Sequence, residues 1–284
     1  MTRPRKRPTP TNRSHDLRQR ILDYFQTLRI PMAEDELDAM LAEAEKQQWN
    51  PLELLAHVLG PQADLRRQRA IERRIRDARF REPVSLEGFD WEFNAQAIDR
   101  RQIETLATAE FIRRGDNLVI AGQSGVGKSR IVQSVGRTAC VHGYRVRYTT
   151  SADLLLDLIA SLADHTLPQK LRFYTNFDLL IIDEFGFEKI ERAESGQAAS
   201  LLYKVIDSRA PKRSTAMVTN ISFEAWADYL GDAPLAMAML DRLVDRAIRL
   251  KIEGRSYRAH RAGQSAPTAA TETSKLKPPR KAKE

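Results

Sequence analysis

Leu118-Val119-Ile120-Ala121-Gly122-Gln123-Ser124-Gly125-Val126-Gly127-Lys128-Ser129 joins an apolar run to a glycine-rich segment ending in Lys-Ser. Gly122 to Ser129 fits the spacing G-x-x-x-x-G-K-[ST], a loop whose backbone cradles phosphate. Its context agrees. Leu118–Ala121 is a short apolar run that reads as a buried strand, and Ile131, Val132, Val135 and Ala139 follow at helical spacing. Gly122, Gly125 and Gly127 free the backbone to bring N–H groups around an anion. The start of the following helix adds partial positive charge. In such a loop Lys128 reaches the β- and γ-phosphates and the Ser129 hydroxyl turns to Mg²⁺. Gln123, Ser124, Val126 and Arg130 complete the stretch expected against ATP.

A second stretch fits the first. Leu179-Leu180-Ile181-Ile182-Asp183-Glu184 reads as a buried strand ending in two carboxylates. The carboxyl end of a parallel strand is where sheets of this class present ligand-binding groups. Asp183 is expected to share Mg²⁺ with Ser129, and Glu184 to polarise an attacking water. Asn220 ends the next apolar strand, where an amide can orient that water. It is also a turn residue, with Ser222 read as the cap of the helix that follows. Arg242, in Leu240-Asp241-Arg242-Leu243, reads either as a surface ion pair with Asp245 or as an arginine finger reaching a neighbouring subunit's site, with Arg246 next in line.

The rest of the chain alternates. Arg145–Tyr148, Asp178–Asp183, Thr215–Thr219 and Ile248–Ile252 read as strands. Ala152–Leu162 (begun by Ser151), Glu194–Ser208, Phe223–Leu230 and Leu235–Val244 read as helices. That alternation predicts an α/β fold, a P-loop NTPase with a parallel sheet sandwiched by helices over residues 83–258. Residues 99–114 read as one helix leading in. The link at 83–96 carries Phe89, Trp91 and Phe93, which pack near a nucleotide base or cover the edge of the core.

Upstream, residues 15–60 read as a small all-helical, partner-binding domain of three helices. The third opens at Asn50 with Pro51 and Glu53 in a capping box and ends at Gly60-Pro61. Residues 61–82 read as a connecting helix with eight arginines, of which Arg66, Arg69, Arg73 and Arg76 share a face. The stripe suits nucleic acid, or a solvated connector. Residues 1–14, with Arg3, Arg5, Lys6, Arg7 and Arg13, read as a disordered basic arm, and 259–284 as a disordered tail.

Composition sets outer limits. The chain has 284 residues and a formal charge of +8, which favours a polyanionic partner. The single cysteine, Cys140, excludes an intrachain disulfide, and the five histidines are scattered, so neither zinc nor histidine catalysis is expected. No apolar run suits a membrane span and the N-terminus lacks a signal sequence, so the cytoplasm is the expected location.

Taken together, the phosphate loop, Leu179–Glu184, Asn220, Leu240–Leu243 and Gly254-Arg255-Ser256-Tyr257-Arg258 resemble the IstB-type AAA+ helper ATPases of insertion elements. Their relatives are the DnaC/DnaI helicase loaders. The lead-in Phe89-Asp90, Leu106-Ala107-Thr108 and Glu110-Phe111-Ile112 to Gly115 is similar too, so the likeness spans residues 17–258. It implies an ATPase that forms a homo-oligomer on double-stranded DNA in a bacterial nucleoid and delivers or activates the transposase of the same element. A helicase loader uses the same machinery with other cargo. A nucleotide-gated DNA-binding protein with negligible turnover is the alternative of a different class. Arg258 is a candidate second phosphate sensor.

Overall fold

A computed structural model of the chain describes residues 10–187, 197–210 and 212–260. The chain divides into two compact units, residues 1–70 and 71–284, taken separately below.

In the second unit five strands form one sheet: β1 (Asn117–Gly122), β2 (Val146–Thr150), β3 (Leu179–Phe185), β4 (Ser214–Thr219) and β5 (Ala247–Ile252). Their order is β2-β3-β4-β1-β5 and every pairing is parallel. Both faces are covered, which is why the strands read as unbroken apolar runs. Alternate residues serve opposite layers. Leu179 and Ile181 join Leu118, Ile120, Ile131 and Val135 in one core. Leu180 and Ile182 join Leu154, Leu158, Leu202 and Trp226 in the other. The first layer includes α4 (Arg100–Ala107), α5 (Glu110–Arg114) and α6 (Lys128–Val141). The second includes α7 (Ser151–Ala163), α8 (Leu167–Thr175), α9 (Gln197–Arg209), α10 (Trp226–Leu230) and α11 (Ala233–Val244). This is the α/β fold the sequence predicts.

Several local expectations need correction. The helix expected over 99–114 is two helices, because Ala109 takes a left-handed φ of 60° between them. Helix α8 has no counterpart in the sequence reading. Thr150, not Ser151, caps α7 by accepting from the Asp153 N–H. Ser222 makes no side-chain cap, and a 3₁₀ turn at Phe223–Ala225 precedes α10. The start of the helix expected from Glu194 and the far termini, residues 1–9 and 261–284, lie outside the described residues.

In the first unit α1 (Pro10–Thr27) already includes residues assigned above to the basic arm, and α2 (Glu34–Gln47) follows. The capping box at Asn50 forms. Its Oδ1 accepts from the Leu52 and Glu53 N–H groups, while the Glu53 carboxylate takes the Asn50 N–H at 2.7 Å. That box opens α3 (Pro51–Ala78), which does not stop at Gly60-Pro61 and whose last residues, from Ile71, belong to the second unit. Pro61 lacks one backbone donor, yet its fixed φ is helical, so the chain passes through at the loss of a bond. The third helix and the arginine-rich connector are therefore one element.

Arg209 ties the second core together. It is fully buried and donates to Thr215 Oγ1 and to the carbonyls of Tyr174, Phe177 and Ser214, joining α8, α9 and the entries to β3 and β4. Burial pushes its guanidinium down to about 9. Removing it leaves two buried carbonyls and one partly buried carbonyl without this donor. R209A is expected to lower the unfolding free energy by about 3–5 kcal/mol, measured by denaturant titration of the full chain. An unchanged midpoint would show that these bonds contribute little.

Candidate nucleotide site

The shared strand direction gathers the carboxyl ends of β1, β3 and β4 on one edge. From β1 the chain turns through Gln123–Gly127 into α6. Gly127 precedes α6 with no side-chain cap, which leaves first-turn N–H groups for an anion. Lys128 is 6% exposed, and its Nζ donates to the Gly122 and Gln123 carbonyls at 2.7 Å each. Burial lowers its pKa; Asp183 opposes that shift and Arg258 adds to it. Lys128 thus lies within electrostatic reach of both.

A cavity of about 470 Å³ opens over this loop. Gly125 to Arg130 form its floor, and Glu82, Phe89, Asp90, Phe93, Asn94, Ile98, Tyr257 and Arg258 its walls. Its size suits a small-molecule ligand, and its chemistry is divided between cations at the loop and aromatic rings beside it. Phe89 and Phe93 therefore border the cavity, while Trp91 backs Phe89 at 4.7 Å. Asn94 is buried and spends its amide on the backbone. It donates to the Arg255 carbonyl and accepts the Arg255 N–H, both at 3.0 Å. The Tyr257 N–H in turn donates to the Gly125 carbonyl at 2.9 Å. The segment after β5 is thereby laid against the phosphate loop.

Asp183 is 1% exposed. Its Oδ2 accepts from the Tyr148 hydroxyl at 2.9 Å and its Oδ1 from the Glu184 N–H at 2.8 Å. Burial, and then the Asp183 charge, raise the Tyr148 pKa, so the phenol keeps its proton. Glu184 has a φ of 62° where the β3–β4 register shifts between Ile182 and Phe185. Such a bulge re-aims a side chain at a strand end. Its carboxylate meets Arg81 at 3.0 Å. Asn220 stands close by, its Oδ1 2.5 Å from where a Cβ on Gly186 would lie. Loop, carboxylates and amide are thus gathered on one edge of the sheet.

Arg242 lies elsewhere. Asn117, the first residue of β1, donates to the Arg242 and Leu243 carbonyls, which puts Arg242 at the opposite edge. Its guanidinium bonds to Asp207 at 2.9 Å and Asp241 at 2.7 Å, rather than to Asp245. Arg246 sits 3.9 Å from Asp116. Arg66, Arg69, Arg73 and Arg76 are all exposed along α3. Among the described residues no group of three or more His, Cys, Asp or Glu is arranged to hold a metal, and no helix is long and apolar enough to cross a membrane.

The family described as IstB-like ATP binding protein matches residues 25–265. The chain belongs to that family. It is 31% identical over 243 residues to the ATP-binding protein of insertion sequence IS5376 from Geobacillus stearothermophilus, covering 85% of this chain and 94% of that one. It is 32% identical over 222 residues to the IS21 ATP-binding protein of Pseudomonas aeruginosa, with coverage of 78% and 82%. Among solved structures, DnaI aligns with a TM-score of 0.48 at 21% identity, covering 60% of this chain and 91% of that one. AMPPCP-bound DnaA from Aquifex aeolicus aligns at 0.48 and 19%, with coverage of 62% and 51%.

Sequence reasoning missed Tyr148, Asn94 and Arg81. Tyr148 was one residue of a strand, Asn94 lay in an irregular link, and Arg81 was one arginine among eight. The closeness of Gly125 to the Ser256 side chain, at a φ of 83°, yields a test. A methyl group there meets Ser256 and a conformation that L-residues avoid. G125A is expected to weaken ATP binding by roughly tenfold or more in calorimetric titration, with the far-ultraviolet spectrum unchanged. Wild-type affinity would mean that the loop tolerates displacement of the 254–258 segment.

Proposed function

We propose that this chain binds and hydrolyses ATP at the Gly122–Ser129 loop and, as a homo-oligomer on double-stranded DNA, delivers or activates the transposase of its insertion element. The observation that carries this reading is the division of parts between the two edges of the sheet. The loop, Asp183, Glu184 and Asn220 share one edge, and Arg242 lies at the other. Six residues of β1 separate them, a span of about 20 Å. Arg242 cannot serve its own subunit's phosphates across that distance, but it can complete a neighbour's.

In this reading Lys128 and the N–H groups of α6 bind phosphate oxygens, with Gln123, Ser124, Val126 and Arg130 around them. Ser129 and Asp183 would hold Mg²⁺, which would neutralise phosphate charge when bound. Two protein ligands with the rest left to phosphate and water is the usual manner of holding this ion. The donor set fits, since both groups are oxygens and Tyr148 and the Glu184 N–H fix the carboxylate. Glu184 takes a proton from the attacking water, and Asn220 orients that water. Arg242 of the adjoining subunit stabilises charge spread over the transferring phosphoryl group. The net charge of +8 and the exposed arginines of α3 support binding to the DNA backbone. Relatives named for insertion sequences support transposition, a DNA recombination reaction, over helicase loading. A cytoplasmic, nucleoid-associated location follows from it, with the N-terminal unit as the partner-binding part.

E184Q is expected to bind ATP normally and to hydrolyse it at least about a hundredfold more slowly; equal turnover removes Glu184 from the chemistry. K128A and R242A are each expected to be inactive alone and partly active when mixed in the presence of DNA, because some interfaces then join an intact loop to an intact arginine. Mixtures that co-assemble without recovery assign Arg242 to its own subunit's fold. Neutralising Arg66, Arg69, Arg73 and Arg76 together is expected to flatten the plot of log affinity for duplex DNA against log salt, by roughly 0.9 in slope for each phosphate that is no longer neutralised. An unaltered slope makes α3 a solvated connector.

A further inference from the structure

Arg81 is the last arginine of the arginine-rich stretch and meets the carboxylate assigned to hydrolysis. We propose that Arg81 is a positioning residue that holds Glu184 in an ion pair and restrains turnover until DNA phosphates compete for its guanidinium. The proposal rests on the ATPase reading of Glu184 given above.

The base of this residue is fixed. The Arg81 and Glu82 N–H groups both donate to Gln133 Oε1, at 2.9 and 3.2 Å. Gln133 is buried on α6 and donates in turn to the Ser129 carbonyl at 3.3 Å. The backbone of Arg81 is therefore anchored one helical turn from the phosphate loop. Its tip is not buried. The side chain is 49% exposed and forks, one nitrogen on Glu184 Oε2 at 3.0 Å and the other on Asp153 Oδ2 at 3.3 Å.

That fork occupies the oxygen it touches. The ion pair fixes the direction of the carboxylate, and a carboxylate held towards Arg81 is not turned to an attacking water. The pair is also easily broken. Exposed ion pairs are weak and screened by salt, and a phosphate diester offers a guanidinium an equivalent anionic partner. Arg73 and Arg76, both exposed, precede Arg81 in the same stretch, so DNA engaged there brings phosphates towards it. Asp153 is the counterweight, because it draws the guanidinium away from Glu184.

Steady-state ATPase of the full chain, with and without duplex DNA, tests the idea. R81Q is expected to raise the DNA-free kcat about five- to tenfold, leave KM for ATP within about twofold, and reduce stimulation by DNA to match. R81K keeps a cation and is expected to restore the restraint. D153N leaves Glu184 as the sole partner and is expected to lower the DNA-free kcat. A merely structural Arg81 predicts loss in both R81Q and D153N. If R81Q unfolds, D153N decides with and without duplex DNA: turnover slowed only in the absence of DNA supports the latch, whereas equal or faster turnover, or a loss that saturating DNA does not relieve, overturns it. Wild type that turns over while folded R81Q is no faster overturns the latch and leaves the ATPase reading intact. If neither turns over under any condition, the hydrolysis reading fails and the latch with it.

Discussion

The parallel pairing of β1 between β4 and β5 governs where the residues of the site fall. It sets Ala121 opposite Thr219 and Gly122 opposite Ile252. The next pairing sets Phe185 opposite Thr219. Four strand ends therefore arrive level, and each hands its next residues to the same edge. Reversing any one strand would send its terminal residue to the far side of the sheet. The chemistry that converges there is a consequence of strand direction, and the side chains only decorate it.

Electrostatics at that edge are balanced by interactions that differ in depth. Lys128 and Asp183 are both buried, and each has its polar atoms engaged by neighbours from the chain itself. Glu184 and Arg81 sit one layer outward, where water weakens their attraction. The inner groups are fixed in place by the chain itself, and the outer pair suits exchange of partners. One peptide unit separates the two kinds of carboxylate, and the bulge at Glu184 is what allows it.

Much of this was legible in the sequence because it is local. The phosphate loop is a contiguous spacing, and the strands are runs with both faces covered, so neither needs knowledge of distant residues. The failures share the opposite property. Helix α8 is short and was obscured by its position before β3. The break at Ala109 depends on backbone geometry that alanine does not advertise. The passage of α3 through Gly60-Pro61 goes against a punctuation signal that is reliable on average. Asn94, Tyr148 and Arg81 act through partners 161, 35 and 103 residues away, and no periodicity reports interactions of that range.

The Asn94 amide joins residues near the beginning of the second unit to those that follow its last strand. The walls of the cavity accordingly come from chain made early and chain made late, with its floor in between. A nascent polypeptide carrying the loop and both carboxylates still lacks Tyr257 and Arg258, and its β1 lacks β5 on one side. The order of synthesis thus imposes a sequence in time: the pocket is complete only after almost all of the described chain has left the ribosome.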